Sequence, residues 1–294
     1  MAGGSAVFPG SLVINGDLQR WLLEDIGRGD RTTQGLLTGK TVMGQADWIA
    51  KAPGTLAGLA IAGEVFHLLS DRVCIVSYAT DGEVCDRGQT IAKFQGPCEA
   101  LLTGERVALN LAMRLSGIAT LTRQYVERIA DFSTQLVDTR KTTPGLRVLE
   151  KYAMQVGGAC NHRMGLDDAV MIKDNHIAIA GGIEAAIAQI RPNIPYPLSI
   201  EVETQSLAEV EAALRAEADI IMLDNMTIEM MTQAVKMIRQ ACDRTKIEAS
   251  GNITLETLRT VAATGVDYIS TSAPITRSNW LDLSMNLKIQ ELSN

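Results

Sequence analysis

From about residue 135 onward, short β-branched apolar runs alternate with amphipathic stretches, the pattern expected when each parallel strand is followed by a helix that covers it. The runs are Gln135 to Asp138, Ala169 to Ile172, Leu198 to Val202, Asp219 to Leu223, Thr245 to Ala249 and Val266 to Ser270. Apolar residues at helical spacing separate the last four: Leu207, Val210 and Leu214; then Ile228, Met231, Val235 and Ile238; then Leu255, Leu258 and Val261. Six regular repeats predict a β/α barrel rather than an open dinucleotide-binding sheet, since no Gly-x-Gly-x-x-Gly follows the first strand.

The first 117 residues follow another rhythm. A helix is expected around Leu18 to Glu24, a strand over Gln45 to Ala50, a helix over Ile61 to Leu69 and a strand over Val73 to Tyr78. The turn-rich stretch Thr80 to Gly88 leads to one more strand over Gln89 to Phe94. This predicts an α/β domain over 1–117 and a barrel over 118–274, with 275–294 returning to pack on the first domain. A long helical pattern from Cys98 to Leu115 joins them, with Leu101, Ala108, Leu111, Ala112 and Leu115 on one face and Arg106 and Asn110 on another. His67 lies in an apolar helical stretch and is expected in the core.

Composition narrows the classes of function. The 294 residues are 46% hydrophobic, enough to bury a sizeable core. Charged residues number 27 Lys+Arg against 34 Asp+Glu, a net charge of −7, and only 4% are aromatic, so the footprint of a nucleic-acid binder is missing. A polyanionic substrate would have to be met by local cationic pockets. The longest apolar runs, such as Ile220 to Leu223, fall far short of the roughly 20 residues that span a bilayer. MAGGSAVFPG has no charged segment followed by an apolar one, so the expected location is the cytoplasm and no membrane partner is expected. Five cysteines, an odd number without CxxC spacing, point to reduced thiols rather than a disulfide framework or a zinc site.

In a β/α barrel the active site lies at the C-terminal ends of the strands, so the residues placed there carry the functional argument. After the first strand comes DTRKTTPG, with Arg140 and Lys141 adjacent and Pro144-Gly145 fixing a turn. The second ends in Lys173-Asp174-Asn175-His176, preceded by Asn161-His162-Arg163. The later strands run into Glu201 and Glu203, Asp224-Asn225, Ser250-Gly251-Asn252 and Thr271-Ser272-Ala273. Cations thus gather on the early loops, carboxylates on the middle ones, and small residues that let a phosphate approach backbone N–H groups on the last. Such carboxylates suit ribose hydroxyls and Mg²⁺ bound together with substrate phosphates, so the ligand read from these loops is a phosphorylated sugar with an anionic partner. Each element also has an ordinary alternative: Arg140 and Lys141 as a solvated loop pair, His162 and Arg163 as a helix C-terminal charge pair, Glu203 and Asp224 as helix caps, Ser250-Gly251-Asn252 as a helix start. His176 follows the strand-end lysine without an evident partner.

The stretches EDIGRGDRTT, LLTGERVALNLAMRLSGIAT, DTRKTTPG, EKYAMQVGGACNHRMGL, IKDNH, IEVET, LDN and EASGNIT follow one another over nearly the whole chain. In that order they resemble the quinolinate phosphoribosyltransferases, and TRKTTPG followed by NHR and IKDNH is the most specific part. The resemblance implies an N-terminal α/β sandwich joined to an incomplete, open β/α barrel of the type II phosphoribosyltransferase kind, working as a dimer or higher oligomer. It implies that quinolinate and phosphoribosyl diphosphate, with Mg²⁺, give nicotinate mononucleotide, diphosphate and CO₂ on the way to NAD. By similarity Arg106, Arg140, His162, Arg163 and Lys173 would surround the quinolinate carboxylates, with Arg106 reaching the neighbouring subunit's site. Lys141, with Lys173, would reach the diphosphate, Glu203 and Asp224 the ribose hydroxyls and the metal, and Ser250, Gly251 and Asn252 the 5′-phosphate. Of these, Lys141, Lys173, Glu203 and Asp224 are the expected catalytic residues.

Two positions depart from the family pattern: Asn252 stands where Ser-Gly-Gly is frequent, and Ser272 where glycine is usual, so both bear on the 5′-phosphate loop and neither on the quinolinate pocket. Two rival readings remain at this level. Lys173 could serve as the Schiff-base lysine of a barrel aldolase, which leaves the other cations without a role. An oxyanion-binding relative of the same fold associated with molybdenum transport is opposed by the full cation set at Arg140, Lys141, His162, Arg163 and Lys173.

Overall fold

A computed structural model of the chain describes residues 6–77 and 79–289; Tyr78, at the end of the expected strand Val73 to Tyr78, lies outside them. In chain order the first elements are α1 (Ser11–Ile26), α2 (Arg31–Leu36), β1 (Met43–Ala50), β2 (Gly54–Thr55), α3 (Leu59–Leu69), β3 (Cys74–Ser77), β4 (Val84–Cys85), β5 (Thr90–Pro97) and α4 (Cys98–Arg128). Then follow β6 (Gln135–Val137), α5 (Arg147–Val156), β7 (Val170–Ile172), α6 (Asp174–Ala180), α7 (Ile183–Ile190), β8 (Ile200–Thr204), α8 (Leu207–Arg215) and β9 (Ile220–Asp224). The last are α9 (Ile228–Ala241), β10 (Lys246–Ser250), α10 (Leu258–Ala262), β11 (Tyr268–Ser270), α11 (Ala273–Arg277) and β12 (Leu283–Ile289). The chain divides into two compact units, interleaved along the sequence: one takes residues up to 123, 143–158 and those from 277 on, the other 124–142 and 159–276.

In the first unit an antiparallel sheet of order β12-β1-β5-β3 is built on a strict alternation along β1, which buries Gly44, Ala46, Trp48 and Ala50 and leaves Gln45, Asp47 and Ile49 half-buried. Trp48 is fully buried with its ring 5.0 Å from Phe94, which in turn lies 4.8 Å from Phe66 on α3. Few aromatics are present, but these three are concentrated at one point, and burying each side chain stabilises the unit by about 1.5–3 kcal/mol. His67 is a correction: it is exposed, because the buried side of α3 is taken by Ile61, Ala62, Val65 and Phe66 and the next residue turns about 100° away from it. Its Nε2 lies 2.9 Å from Val73 O instead.

The expected apolar stripe of α4 is buried at Leu101, Ala108, Leu111, Ala112 and Leu115, and the helix continues well beyond Leu115 to Arg128. Gly117 does not end it. A Cβ at that position would collide with the carbonyl oxygen of Asn279, so this glycine answers a close backbone approach inside a helix. One turn earlier, Arg114 donates to the fully buried Glu150 of α5 through Nη2 (2.8 Å) and Nε (3.2 Å). Glu150 also accepts the backbone N–H and the hydroxyl of Thr143, each at 2.8 Å, and so anchors the turn that follows Arg140 and Lys141 in the chain. Glu150→Ala is expected to lower stability by about 3–5 kcal/mol, the cost of stranding a buried charge. Urea unfolding measures it, and a loss below about 1 kcal/mol would reduce the contact to a surface ion pair.

The second unit is a six-stranded parallel sheet of order β6-β11-β10-β9-β8-β7. Strands β7 to β11 neighbour one another in sequence order, while β6 pairs with β11 and not with β7, so the barrel is open between its first and second strands. After β6 the chain passes through α5, which belongs to the other unit, and returns at Cys160, whose N–H donates to Leu136 O at 2.9 Å beside β6. The covering helices bury the positions their periodicity assigns, such as Val210 on α8 and Met231, Val235 and Ile238 on α9. Among the described residues no helix is long and apolar enough to cross a membrane.

Candidate active site

All the expected site residues except Arg106 stand at the C-terminal edge of this parallel sheet. Arg140 and Lys141 follow β6, His162 and Arg163 follow the bridge beside it, Lys173 follows β7, Glu203 lies on β8, Asp224 ends β9, Ser250 ends β10 ahead of Gly251 and Asn252, and Ser272 follows β11. Arg106 is exposed on α4, in the first unit.

The loop carrying His162 is tied down by Asp138, a fully buried carboxylate that accepts the backbone N–H of His162 at 2.9 Å and the side-chain amide of Asn161. The His162 ring then meets two further buried acids, with Nε2 3.0 Å from Glu201 and 3.5 Å from Glu248. Burial alone would lower the imidazole pKa, but the hydrogen bonds to these acids and their charges outweigh it and raise it from 6.5 to about 10. On the far side of the ring the Arg163 N–H lies 2.7 Å from Nδ1, which can accept it only while unprotonated. In either charge state the proton sits on Nε2 and faces Glu201, so this trio, close enough in geometry to grip a cation, is arranged as a donor with two acceptors. One oxygen of each acid, Oε1 of Glu201 and of Glu248, is buried without a partner, and burial pushes the Glu201 carboxyl above its ordinary range.

Arg140 and Arg163 form the cationic wall. Burial and then the neighbouring charge of Arg140 lower the pKa of Arg163, which spends one N–H on Ala169 O at 2.9 Å. Arg140 Nε is buried with no hydrogen-bond partner. Two guanidinium groups held within reach of each other, with a buried donor unsatisfied, form a site that an anion completes. Lys141 is exposed beside them.

Lys173 is ion-paired with Glu203 and about half exposed, which is not the desolvated, uncharged amine a Schiff-base lysine requires. Glu203 and Asp224 are not caps: Ser206 caps α8 and Thr227 caps α9 through their hydroxyls. Nor do His162 and Arg163 close a helix, since α5 ends at Gly157, and Ser250-Gly251-Asn252 lies well before α10 begins at Leu258. The ordinary readings therefore fail for these residues, and Arg140 is half-buried rather than a fully solvated member of the loop pair. His176 does have a partner, its Nδ1 accepting the Lys173 N–H at 3.0 Å at the start of α6.

Models of the quinolinate phosphoribosyl transferase N-terminal and C-terminal domains match residues 30–116 and 118–286. This chain belongs to the quinolinate phosphoribosyl transferase family. It is 58% identical over 279 residues to a probable carboxylating nicotinate-nucleotide pyrophosphorylase of Synechocystis, covering 95% of this chain and 94% of that protein. It is 44% identical to the Bacillus subtilis protein of the same name, covering 94% of each. Among solved structures, NadC from Streptococcus pyogenes superposes with a TM-score of 0.91 at 40% identity, over 97% of this chain and all of that one. The α/β domain followed by an open parallel sheet is thus the quinolinate phosphoribosyl transferase fold.

Five residues that hold these loops or the His162 ring were given no role of their own in sequence: Asp138, Asn161, Glu201, Glu248 and Glu150. The signal for Glu248 was present, as for Glu201, because a carboxylate inside a buried apolar strand is costly unless a partner meets it.

Proposed function

We propose that this chain transfers the phosphoribosyl group of phosphoribosyl diphosphate to quinolinate with decarboxylation, giving nicotinate mononucleotide, diphosphate and CO₂ in NAD biosynthesis. The observation that carries it is the unsatisfied, buried Nε of Arg140 beside Arg163, a pocket wall built for a carboxylate-rich ligand. Lys173 completes that wall once Glu203 releases it. His162, held by Glu201 and Glu248, lines the same edge. The pyridine nitrogen attacks C1′ as diphosphate leaves, so orientation and neutralisation of charge, with Lys141 toward the diphosphate, do the work that no protein nucleophile is needed for. The quaternised ring nitrogen then stabilises the negative charge left at C2 when CO₂ departs.

Glu203, one residue from the end of β8, and Asp224, the last of the neighbouring β9, offer hard oxygen donors, a set that suits Mg²⁺ shared with substrate phosphates. Held there, the ion would neutralise the leaving diphosphate. Ser250, Gly251 and Ser272 take the 5′-phosphate together with the backbone N–H of Asn252. The protein works as a homodimer or higher oligomer in which Arg106 enters the neighbouring subunit's quinolinate pocket; its exposure on α4 supports this. The five free cysteines support a place in the cytoplasm.

The test is an assay of purified protein with quinolinate, phosphoribosyl diphosphate and Mg²⁺, expected to yield nicotinate mononucleotide and CO₂ in equal amounts. In the same assay Glu203→Gln and Asp224→Asn should each weaken phosphoribosyl diphosphate use and shift the Mg²⁺ titration by about tenfold or more, as expected for a lost charged contact. Unchanged metal curves in both variants would remove these residues from the site.

A further inference from the structure

Three non-glycine residues have left-handed backbone among those described, and two of them, Asn225 (φ 53°) and Asn252 (φ 50°), lie in neighbouring strand-end loops. The loops touch. Asn225 N–H donates to Ser250 O at 3.0 Å, and Gly251 (φ 101°) comes so close that a Cβ there would collide with the Asn225 side chain. The side chains then form a directed series: Asn252 Nδ2 donates to Asn225 Oδ1 at 3.3 Å, and Asn225 Nδ2 donates to Asp224 Oδ2 at 3.0 Å.

We infer that Asn252 and Asn225 act as a relay of positioning residues that fixes the Asp224 carboxylate for the ribose and metal-bearing part of phosphoribosyl diphosphate. The inference rests on the role of Asp224 proposed above. Its logic is the polarity of the amide. An asparagine has a donor end and an acceptor end, and turning Asn225 over would set its carbonyl oxygen against a carboxylate. Asn252 holds the acceptor end, which leaves the donor end on Asp224 Oδ2 and Asp224 Oδ1 for the ligand. Asparagine is also the side chain that tolerates left-handed backbone best, so the donors come without a large conformational cost. Glycine at either position would keep the backbone and delete the link.

The experiment compares Asn252→Gly, Asn225→Gly, the double variant and Asp224→Asn. Measured are KM for each substrate, Mg²⁺ half-saturation, thermal midpoint, and calorimetric binding of phosphoribosyl diphosphate with Mg²⁺ in the presence of phthalate, a dicarboxylate with no ring nitrogen to react. Each asparagine variant is expected to weaken phosphoribosyl diphosphate binding and raise its KM by about threefold to tenfold, the size of one lost hydrogen bond, while quinolinate KM and the thermal midpoint hold. The double variant should be no worse than Asn225→Gly alone, because Asn252 acts through Asn225. Unchanged binding in both single variants, losses that multiply in the double, or a loss that falls equally on quinolinate and on stability would overturn the relay. If Asp224→Asn is itself harmless, the reading of the site fails and the relay with it; if Asp224→Asn is damaging and both asparagine variants are silent, only the relay fails.

Discussion

Nicotinate offered in place of quinolinate should lose about 10³-fold or more in kcat/KM, although it keeps the ring nitrogen that attacks C1′. The cause is the wall formed by Arg140 and Arg163. With both carboxylates present the two guanidinium groups would share anionic charge, and the buried Nε of Arg140 would find an acceptor. With the C2 carboxylate missing, that donor stays unsatisfied and the like charges that already lower the Arg163 pKa remain uncompensated. The loss should fall on KM and kcat together, because the same anchors orient the nitrogen. Comparable kcat/KM for the two acids would sink the assignment of this wall to quinolinate.

Complementation between two dead proteins is the second large effect. Arg106→Ala and Lys141→Ala should each be nearly inactive as homodimers. If Arg106 serves the neighbouring site, a mixed dimer collects both lesions in one site and neither in the other. Unfolding, mixing and refolding the two proteins should then restore about a quarter of wild-type activity, since about half of randomly assembled dimers are mixed and each has one intact site in two. Verified heterodimers without recovered activity would place Arg106 in its own subunit's site or in none.

The parallel half of the fold was legible because each strand is an apolar run whose period differs from that of its covering helix. The strand bounds moved by a residue or two where local chemistry decided: Leu198 is drawn into the turn closed by its N–H on Pro195 O, so β8 starts at Ile200 and reaches Thr204. Gly117 shows a harder limit. The helix expected to Leu115 runs on through it, and only the carbonyl of Asn279, brought near from the far end of the chain, explains why a residue without a Cβ stands there. His67 failed for the opposite reason, since an apolar neighbourhood in sequence does not say which side of a short helix is covered. Strand-end position sufficed to place Arg140, Lys173, Glu203 and Asp224 together at the C-terminal edge of the parallel sheet. The acids behind His162 were harder, because Glu248 is read within a strand and its partner lies on a loop brought alongside only by the bridge at Cys160.

The pairing of β1 with β12 joins Ala50 to Leu283, so the strand that carries Trp48 acquires one of its two neighbours only when the last described stretch of the chain is available. During synthesis β1 and β5 can meet early, whereas the other edge of β1 stays a row of unpaired backbone donors and acceptors while the whole parallel sheet is still being made. Native contacts of such long sequence separation slow folding, and the edge left open meanwhile is one to which another nascent chain could add a strand. The half-buried Asp47 on β1, opposite Lys93 on β5, supplies charge on that growing edge, where it disfavours pairing with a copy of itself.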